Sequence, residues 1–279
     1  MTTAAANYLW RKLATADWLE SHEMELDAQT GGTHAVIERP GRLRVCLECF
    51  CLNFRRARVL AEMFGGSAVR LPVDWEARFF ETHKTKPLRI GSRLIIRGES
   101  EPTTTEPAAL VIPAGTAFGT GAHATTAMSL RLLERVTRRL PQGWRMLDAG
   151  TGSGILALAG ERFGANRIIA VDNDPKAIRT ARENARRNHL RGVRFLLGDV
   201  NAHTTGRFDI ITANLYSELL TTTLPRFRSC LREGGRLILS GVLRVQEPTL
   251  RRALRANGFR VLEARRRGKW IALLCRLKT

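Results

Sequence analysis

The chain has 279 residues and is 44% hydrophobic, which is enough for two domains with sizeable cores. It has no run of about 18 apolar residues and no apolar secretory signal, so we expect a cytoplasmic protein without a membrane span. The net charge is +19, and after residue 100 there are 30 Lys and Arg against 14 Asp and Glu. Such a field attracts RNA or the ribosome, but arginine-rich composition also produces ordinary solvated surfaces, and both interpretations stay open.

Residues 1–72 predict a small α+β domain. A helix is expected over 7–27, and two strands, THAVIERP and GRLRVCLECF, follow around a Pro-Gly turn. A second helix is expected over 53–64, capped by Asn53 and ended by Gly65, before the short element SAVRLP. This domain is therefore expected to open with a helix rather than a strand.

Three cysteines cluster at Cys46, Cys49 and Cys51, and the nearest further metal ligand is His34. A structural zinc site usually needs four Cys or His ligands with two short spacings, and this segment has no second pair. On a strand, Cys49 and Cys51 share one face while Cys46 points to the other. We therefore expect small buried side chains and no metal.

Residues 73–108 predict a linker with a helical first half, a strand SRLIIR and the polar loop ESEPTTTEPA. Over residues 109–279, short apolar runs that end in Gly, Asp or Asn alternate with helical stretches, which is typical of a doubly wound, mostly parallel sheet. These runs are WRMLDAG, NRIIAVDND, VRFLLGDV, FDIITANL and GGRLILSGV. The tail, GFRVLEARRRGKWIALLCRLK, predicts a terminal antiparallel hairpin.

The sequence DAGTGSG forms a glycine-rich turn between a buried strand and a helix. Gly150, Gly152 and Gly154 allow a tight turn and leave the backbone open to a ligand, while the helix N-terminus adds free N–H groups. Asp172 ends the next strand, 22 residues after Gly150, where a carboxylate can accept both hydroxyls of a ribose. The turn therefore predicts a nucleoside-binding site.

The spacing of this turn argues against a nicotinamide dehydrogenase, because it is G-x-G-x-G and an acid, Asp148, stands two residues before it. A carboxylate there suits the cationic amino-acid end of S-adenosylmethionine. Asp199 follows the third strand, where it can accept from the adenine amino group. Acids at three successive strand ends favour a methyltransferase that uses S-adenosylmethionine. The alternative is a purely structural role, with glycines that form the turn and Asp residues that cap helices.

The stretch PAGTAFGTGAHATT, residues 113–126, resembles the signature of the methyltransferases that modify the eleventh large-subunit ribosomal protein (PrmA-type). The resemblance covers most of the chain, including KPLRIGSRLII, LDAGTGSGILAL, VDNDP, GGRLILSGVL and GKWIALLCR. It implies a small substrate-recognition domain, a linker and a seven-stranded, Rossmann-like class I methyltransferase domain. Family members trimethylate lysine ε-amines and the N-terminal α-amine of that ribosomal protein, which is the expected partner.

The resemblance also implies residue roles, since Thr126, Gly150, Asp172 and Asn214 match cofactor contacts. Asn214 ends the fourth strand, beside the expected methyl group, and is the candidate catalytic residue that aims the amine. Phe118 either stacks on the adenine or fills the core.

The residues around Thr126 and Asn214 keep alternative interpretations. Three roles stay open for His123: orienting the substrate, acting as a base, or making local hydrogen bonds. Two stay open for Thr126: contacting the cofactor or capping a helix. Ala124 replaces the Pro usual in the signature, and Leu-Tyr-Ser after Asn214 replaces Ile-Leu-Ala, with Tyr216 placed to reshape the amine pocket.

Two other functions remain as alternatives. Methylation of a base amino group would use the same cofactor site and the basic surface, although such enzymes commonly have Pro-Pro and an aromatic residue after the fourth-strand Asn or Asp. A catalytically inactive ribosome- or RNA-binding protein would keep the fold alone. The intact acids and the complete glycine-rich turn argue against that loss.

Overall fold

The computed structural model describes residues 8–30, 34–37, 43–72, 87–98, 109–113, 123–203 and 206–278. The chain divides into two compact units, residues 1–83 and 84–279. The helical half of the expected linker and the loop ESEPTTTEPA lie outside the described residues.

The first unit is a four-stranded antiparallel sheet with two helices, in the strand order β2-β3-β1-β4. Its elements are β1 (Tyr8–Thr15), α1 (Ala16–Thr30), β2 (His34–Ile37), β3 (Arg44–Cys51), α2 (Phe54–Phe64) and β4 (Ser67–Arg70). The small α+β architecture and the Asn53 cap, which accepts from the Arg56 N–H at 2.9 Å, are confirmed. The opening helix is wrong, because Tyr8–Thr15 pairs with both β3 and β4 and the helix begins only at Ala16.

The core of the first unit explains its cysteines. Cys49 and Cys51 are buried on the face of β3 that carries Leu47, whereas Cys46 lies on the other face, as the alternation of the strand predicts. None of the three forms a disulfide with another described residue, and burial raises the pKa of Cys51 to about 11. A thiol with so high a pKa stays protonated at neutral pH and packs as a small apolar side chain.

The second unit is built on the predicted doubly wound sheet, which has seven strands in the order β10-β9-β8-β11-β12-β14-β13. The first five in this order are parallel, and the terminal pair forms the expected antiparallel hairpin. The strands are β8 (Trp144–Ala149), β9 (Ala165–Asp172), β10 (Val193–Leu197), β11 (Phe208–Asn214), β12 (Leu231–Leu243), β13 (Phe259–Arg267) and β14 (Trp270–Leu277).

Helices cover both faces of this sheet, and each face has its own buried apolar cluster. The helices are α3 (Ala124–Thr137), α4 (Ile155–Arg162), α5 (Pro175–Arg187), α6 (Val200–His203), α7 (Ser217–Cys230) and α8 (Glu247–Ala256). Residues of α3, α4 and α5 pack in one cluster and residues of α7 and α8 in the other, as a doubly wound topology requires.

A small three-stranded sheet precedes the large one, formed by β5 (Leu88–Ile90), β6 (Leu94–Arg97) and β7 (Ala109–Val111) in that order. Its apolar residues join the core cluster of α3 and α4. Arg93, between β5 and β6, donates to the Thr137 hydroxyl at 3.0 Å and lies over the Phe163 ring. The part of the expected linker that the structure describes therefore belongs to the packed second unit.

A β-bulge in β12 shapes the end of its neighbour β11. The register between β12 and β14 shifts between Ser240 and Val242, and Gly241 there has a φ of 86°. A Cβ at Gly241 would collide with the backbone carbonyl of Leu215, whose N–H donates to the Ser240 carbonyl at 3.1 Å. This glycine thus lets the chain after Asn214 lie directly against β12.

Candidate active site

A cleft of about 390 Å³ lies at the carboxyl ends of the parallel strands. Strands β8, β9 and β10 follow one another in one direction from β8, and β11 and β12 continue in the other, so β8 marks the switch point where such sheets bind ligands. The cleft is lined by Thr126, Gly150, Thr151, Gly152, Ile155, Leu156, Asp172, Asn173, Gly198, Asp199, Val200, Asn214, Leu215, Tyr216 and Leu219.

The glycine-rich turn is held by the end of β9. The N–H groups of Gly150 and Thr151 donate to the Val171 carbonyl at 2.9 and 3.0 Å, and the Gly152 N–H donates to Oδ2 of Asp172 at 2.8 Å. Gly150 has a φ of 70°, and a Cβ there would collide with Leu215 across the cleft. A side chain at this position would therefore be strained by the positive φ and would displace Leu215.

Gly154 contributes to the turn from outside the cleft. It starts α4 with a φ of 82°, and a Cβ there would come within 3.0 Å of the Ala181 side chain. Its absent side chain lets α4 pack closely against α5.

Asp148 lies beneath the turn and does not line the cleft. It is fully buried, and its oxygens accept from the hydroxyls of Thr212 at 2.6 Å and Thr151 at 2.7 Å. Burial raises the pKa of Asp148 to about 6, although these two hydrogen bonds lower it. This carboxyl group thus ties β8 to β11 and to the turn, and its oxygens face protein partners instead of the cationic ligand end expected for them.

The two other acids do line the cleft. Asp172 accepts from two N–H groups, Gly152 with Oδ2 and Asp174 with Oδ1 at 3.0 Å, and remains partly exposed. Asp199 lies two residues beyond β10, is exposed, and accepts from the Asn201 N–H at 2.7 Å, which caps the short helix α6. Both carboxylates thus line the same cleft as the turn.

Two buried polar atoms at the cleft have no hydrogen-bond partner among the described residues, namely Oγ1 of Thr126 and Oδ1 of Asn214. An unpaired buried polar group costs about 1–3 kcal/mol, so such groups indicate an interaction that a ligand completes. Thr126 comes from the first turn of α3 and Asn214 from the end of β11. The cleft is therefore suited to a ligand that can form hydrogen bonds with both of these oxygens.

His123 caps α3, with Nδ1 accepting from the Thr125 N–H at 3.4 Å and lying 2.7 Å from the Thr125 hydroxyl. Its ring also contacts Trp270 edge-on, and burial, followed by nearby Lys269, lowers its pKa. His123 therefore makes local hydrogen bonds, which is one of the three roles that the sequence left open for it. Phe118 lies outside the described residues.

Sequence reasoning did not assign the apolar wall of the cleft, formed by Ile155, Leu156, Val200, Leu215 and Leu219. Apolar periodicity gives the same signal for a cleft wall as for a core, so these residues carried no distinguishing pattern. Tyr216, which the sequence did flag, lies at this wall with 61% of its surface exposed.

A switch-point cleft with this turn and these acids defines a Rossmann-like methyltransferase that uses S-adenosylmethionine. The family model for ribosomal protein L11 methyltransferase (PrmA) matches residues 69–278, and the chain belongs to that family.

Curated relatives carry the same family name. The ribosomal protein L11 methyltransferase of Pelotomaculum thermopropionicum is 38% identical over 80% of this chain and 73% of its own length. That of Chloroflexus aurantiacus is 36% identical over 93% and 82%. The crystal structure of a ribosomal protein L11 methylase from Lactobacillus delbrueckii subsp. bulgaricus superposes with a TM-score of 0.63 at 30% identity, covering 70% of this chain and all of that one.

In the described part of the chain, no helix is both long and apolar enough to cross a membrane. Across the same residues, His, Cys, Asp and Glu side chains form no group of three or more that could hold a metal ion.

The burial of Asp148 predicts a pH-dependent loss of stability. Its pKa is about 6 when folded against an ordinary 3.8, so the folded chain keeps a proton that the unfolded chain releases. This contribution is fully present below about pH 4 and is lost as the pH rises through about 6, which lowers the free energy of unfolding by about 3 kcal/mol.

Asp148→Asn removes this titration, so the stability difference between wild type and variant, from urea unfolding at several pH values, should fall by about 3 kcal/mol between about pH 4 and 7. Thr212→Val keeps the carboxyl group but removes one hydrogen bond, and should move the window to higher pH. A difference that does not change with pH would contradict the burial of the charge.

Proposed function

We propose that this chain transfers methyl groups from S-adenosylmethionine to amines of ribosomal protein L11, at lysine ε-amines, the N-terminal α-amine or both. The names of its relatives support this acceptor. The observation that carries the chemistry is the buried, unpaired Oδ1 of Asn214 at the cleft, because an incoming amine has N–H groups to donate to it. Phe118, which we also assign to the cofactor, lies outside the described residues.

The cleft residues fit S-adenosylmethionine, whose ammonium, hydroxyl and amino groups would complete the unpaired acceptors. We assign the ribose hydroxyls to Asp172 and the adenine amino group to Asp199, since both carboxylates line the cleft beyond the ends of β9 and β10. The backbone of Gly150 and Gly152 borders the remaining part of the ligand, and Thr126 faces it from α3. Asp148 and Gly154 support the turn from below and behind.

S-adenosylmethionine supplies a methyl group that is displaced from its sulfonium in one step, leaving a neutral thioether. Asn214 would accept an N–H of the amine and aim its lone pair, so positioning supplies most of the effect. The amine must arrive without its extra proton, and an ordinary lysine has a pKa of about 10.4. The apolar side chains of Leu215 and Leu219 at the cleft favour the neutral amine, because desolvation lowers the pKa of a lysine.

We assign substrate capture to residues 1–72, a connecting role to 73–108, whose described part packs with the second unit, and catalysis to 109–279. The cleft residues all come from the second unit, between Thr126 and Leu219. The described residues of the first unit have their own core around Trp10 and Leu47.

The positive charge of the second unit supports one addition to this function, a contact with ribosomal RNA near the protein acceptor. Methylation of a base amino group is less well supported, because Leu215 and Tyr216 stand where such enzymes commonly have two prolines. A catalytically inactive binding protein is disfavoured by the complete turn and the two carboxylates at the cleft.

Asn214→Ala should lower turnover about a hundredfold while changing cofactor affinity much less, because the amine loses its guide. Asn214→Asp keeps an acceptor oxygen and should retain more turnover than the alanine variant. The assay is transfer of labelled methyl groups to L11, with label that survives nuclease and is lost to protease, beside calorimetric cofactor affinity. Wild-type turnover with collapsed affinity would make Asn214 a cofactor ligand only, and label lost to nuclease would refute the protein acceptor.

A chain shortened to residues 84–279 should fold and bind S-adenosylmethionine with near-normal affinity, because this unit holds the whole described cleft. Its methylation of intact L11 should be far slower than that of the full chain, whereas a short lysine peptide should be affected much less. Equal rates on intact L11 would contradict the capture role of the first unit. Loss of cofactor binding in a folded shortened chain would show that the first unit helps to build the cleft.

A further inference from the structure

A groove of about 640 Å³ lies on the second unit, away from the cofactor cleft. It begins at the short 3-10 turn Arg244–Gln246 after β12 and follows α8. Its lining is dominated by arginine and consists of Arg244, Glu247, Pro248, Arg251, Arg252 and Arg255. We call it the arginine groove.

The single acid of the arginine groove is already neutralised. Glu247 is buried and accepts from Arg251 at 2.8 Å and from Arg266 of β13 at 2.6 Å. Burial alone would favour its neutral form, but the hydrogen bonds from Arg266 and Arg251 lower its pKa. The carboxylate therefore stays charged and holds two guanidinium groups in place, leaving no net negative charge in the groove.

Three further arginines of the groove are not paired with an acidic side chain among the described residues. Arg244, Arg252 and Arg255 are exposed, and none of them forms an ion pair with a described residue. Arg251 and Arg255 stand one helical turn apart, so they face the same way. Several arginines along one helix can bind several phosphates of one chain, because each guanidinium group presents a planar fork of hydrogen-bond donors.

A second basic cluster lies on the other face of β13, which is an edge strand. Arg131 of α3 lies near Arg267 and Arg265, and its pKa is lowered by burial and then by these two like charges. Glu263 is the acid nearby, and it pairs with Arg135 and Arg265. Residues 244–278 carry eleven Lys and Arg against two Glu, and both Glu residues are ion-paired with arginine. This segment of the chain, which includes strand β13, is therefore strongly positive.

The arginine groove begins just beyond the carboxyl end of β12, the strand next to β11 at the cofactor cleft. The Arg244 N–H donates to the Lys269 carbonyl at 2.8 Å, which joins the start of the groove to the tip of the β13–β14 hairpin. Arg244 directly follows β12, whose Ser240 pairs with Asn214 at the cleft. A chain bound along the groove would therefore approach the side on which methyl transfer is proposed.

We propose that the arginine groove and the adjoining β13 edge bind the phosphate backbone of RNA. Four of the six residues that line the groove are arginines and none is a large apolar side chain, which favours a regular polyanion over a protein surface that needs apolar anchor contacts. This inference rests on the proposed ribosomal target only for the source of the RNA. The binding itself requires no methyl transfer.

The test compares two charge-matched triple variants of the full chain. R244Q/R252Q/R255Q removes the unpaired arginines of the groove. R179Q/R186Q/R194Q removes three exposed arginines of α5 and β10, at the opposite edge of the sheet. Binding of a fluorescent RNA hairpin is followed by anisotropy over a series of salt concentrations, and calorimetry with S-adenosylmethionine checks that each variant is folded.

The groove variant should bind RNA at least about tenfold more weakly, and the slope of log affinity against log salt should fall by about 2. The control variant should lose less than about threefold, and both should keep wild-type cofactor affinity. Should the groove triple disturb folding, Arg255→Gln alone should still reduce RNA affinity about threefold or more.

Equal losses in the two triple variants would overturn the proposal in favour of a diffuse field. Polyglutamate or vesicles of anionic phospholipid that bind as tightly as RNA at the same salt would also overturn it. The methylation proposal is judged separately, because failure to label L11 leaves RNA affinity unchanged and loss of RNA affinity leaves the methyl transfer assay on free L11 intact.

Discussion

The structure of the second unit depends on how a side-chain-poor turn is held in place. The glycines that leave the backbone of this turn open to a ligand have no side chains to anchor it, so neighbouring groups must hold their N–H groups in place. Here the end of β9 does so, with the Val171 carbonyl accepting from Gly150 and Thr151 and the Asp172 carboxylate accepting from Gly152. The register of β8 against β9 thus fixes the floor of the cleft before any ligand binds.

Burying the carboxyl group of Asp148 beneath the turn is energetically unfavourable. The opposite wall of the cleft is limited by steric contacts of Leu215. Asp148 supports the turn from below, but its complete burial raises its pKa to about 6 and disfavours its ionised state. Across the cleft, Leu215 fills the space that a side chain at Gly150 would need, and Gly241 leaves room for the Leu215 backbone. The two glycines therefore leave the room that Leu215 occupies, Gly150 for its side chain and Gly241 for its backbone.

The sequence was sufficient for local motifs along the chain, and less so for contacts between distant segments. The glycine-rich turn, the terminal hairpin and the Asn53 cap are local patterns and were predicted correctly. Strand β1 was missed because Leu9 and Leu13 have helical spacing with no turn residue before α1, and its partners β3 and β4 are distant in sequence; Leu13 is in fact 62% exposed. The position of Asp148 was equally beyond local reasoning, because its burial depends on Thr212 of a strand more than 60 residues away.

The central claim is that Asp172, while holding the turn, also receives the ribose of the cofactor. Calorimetry of S-adenosylhomocysteine and its 2′,3′-dideoxy analogue, on wild type and on Asp172→Ala, tests it most directly, with Asp174→Ala as the neighbouring control that caps α5 outside the cleft. A hydrogen bond to a charged group contributes about 1.5–3 kcal/mol, so wild type and the control should prefer the natural ligand about tenfold or more. Asp172→Ala should show almost no preference. The same preference in Asp172→Ala as in wild type would contradict the account, because the ribose would then be held elsewhere.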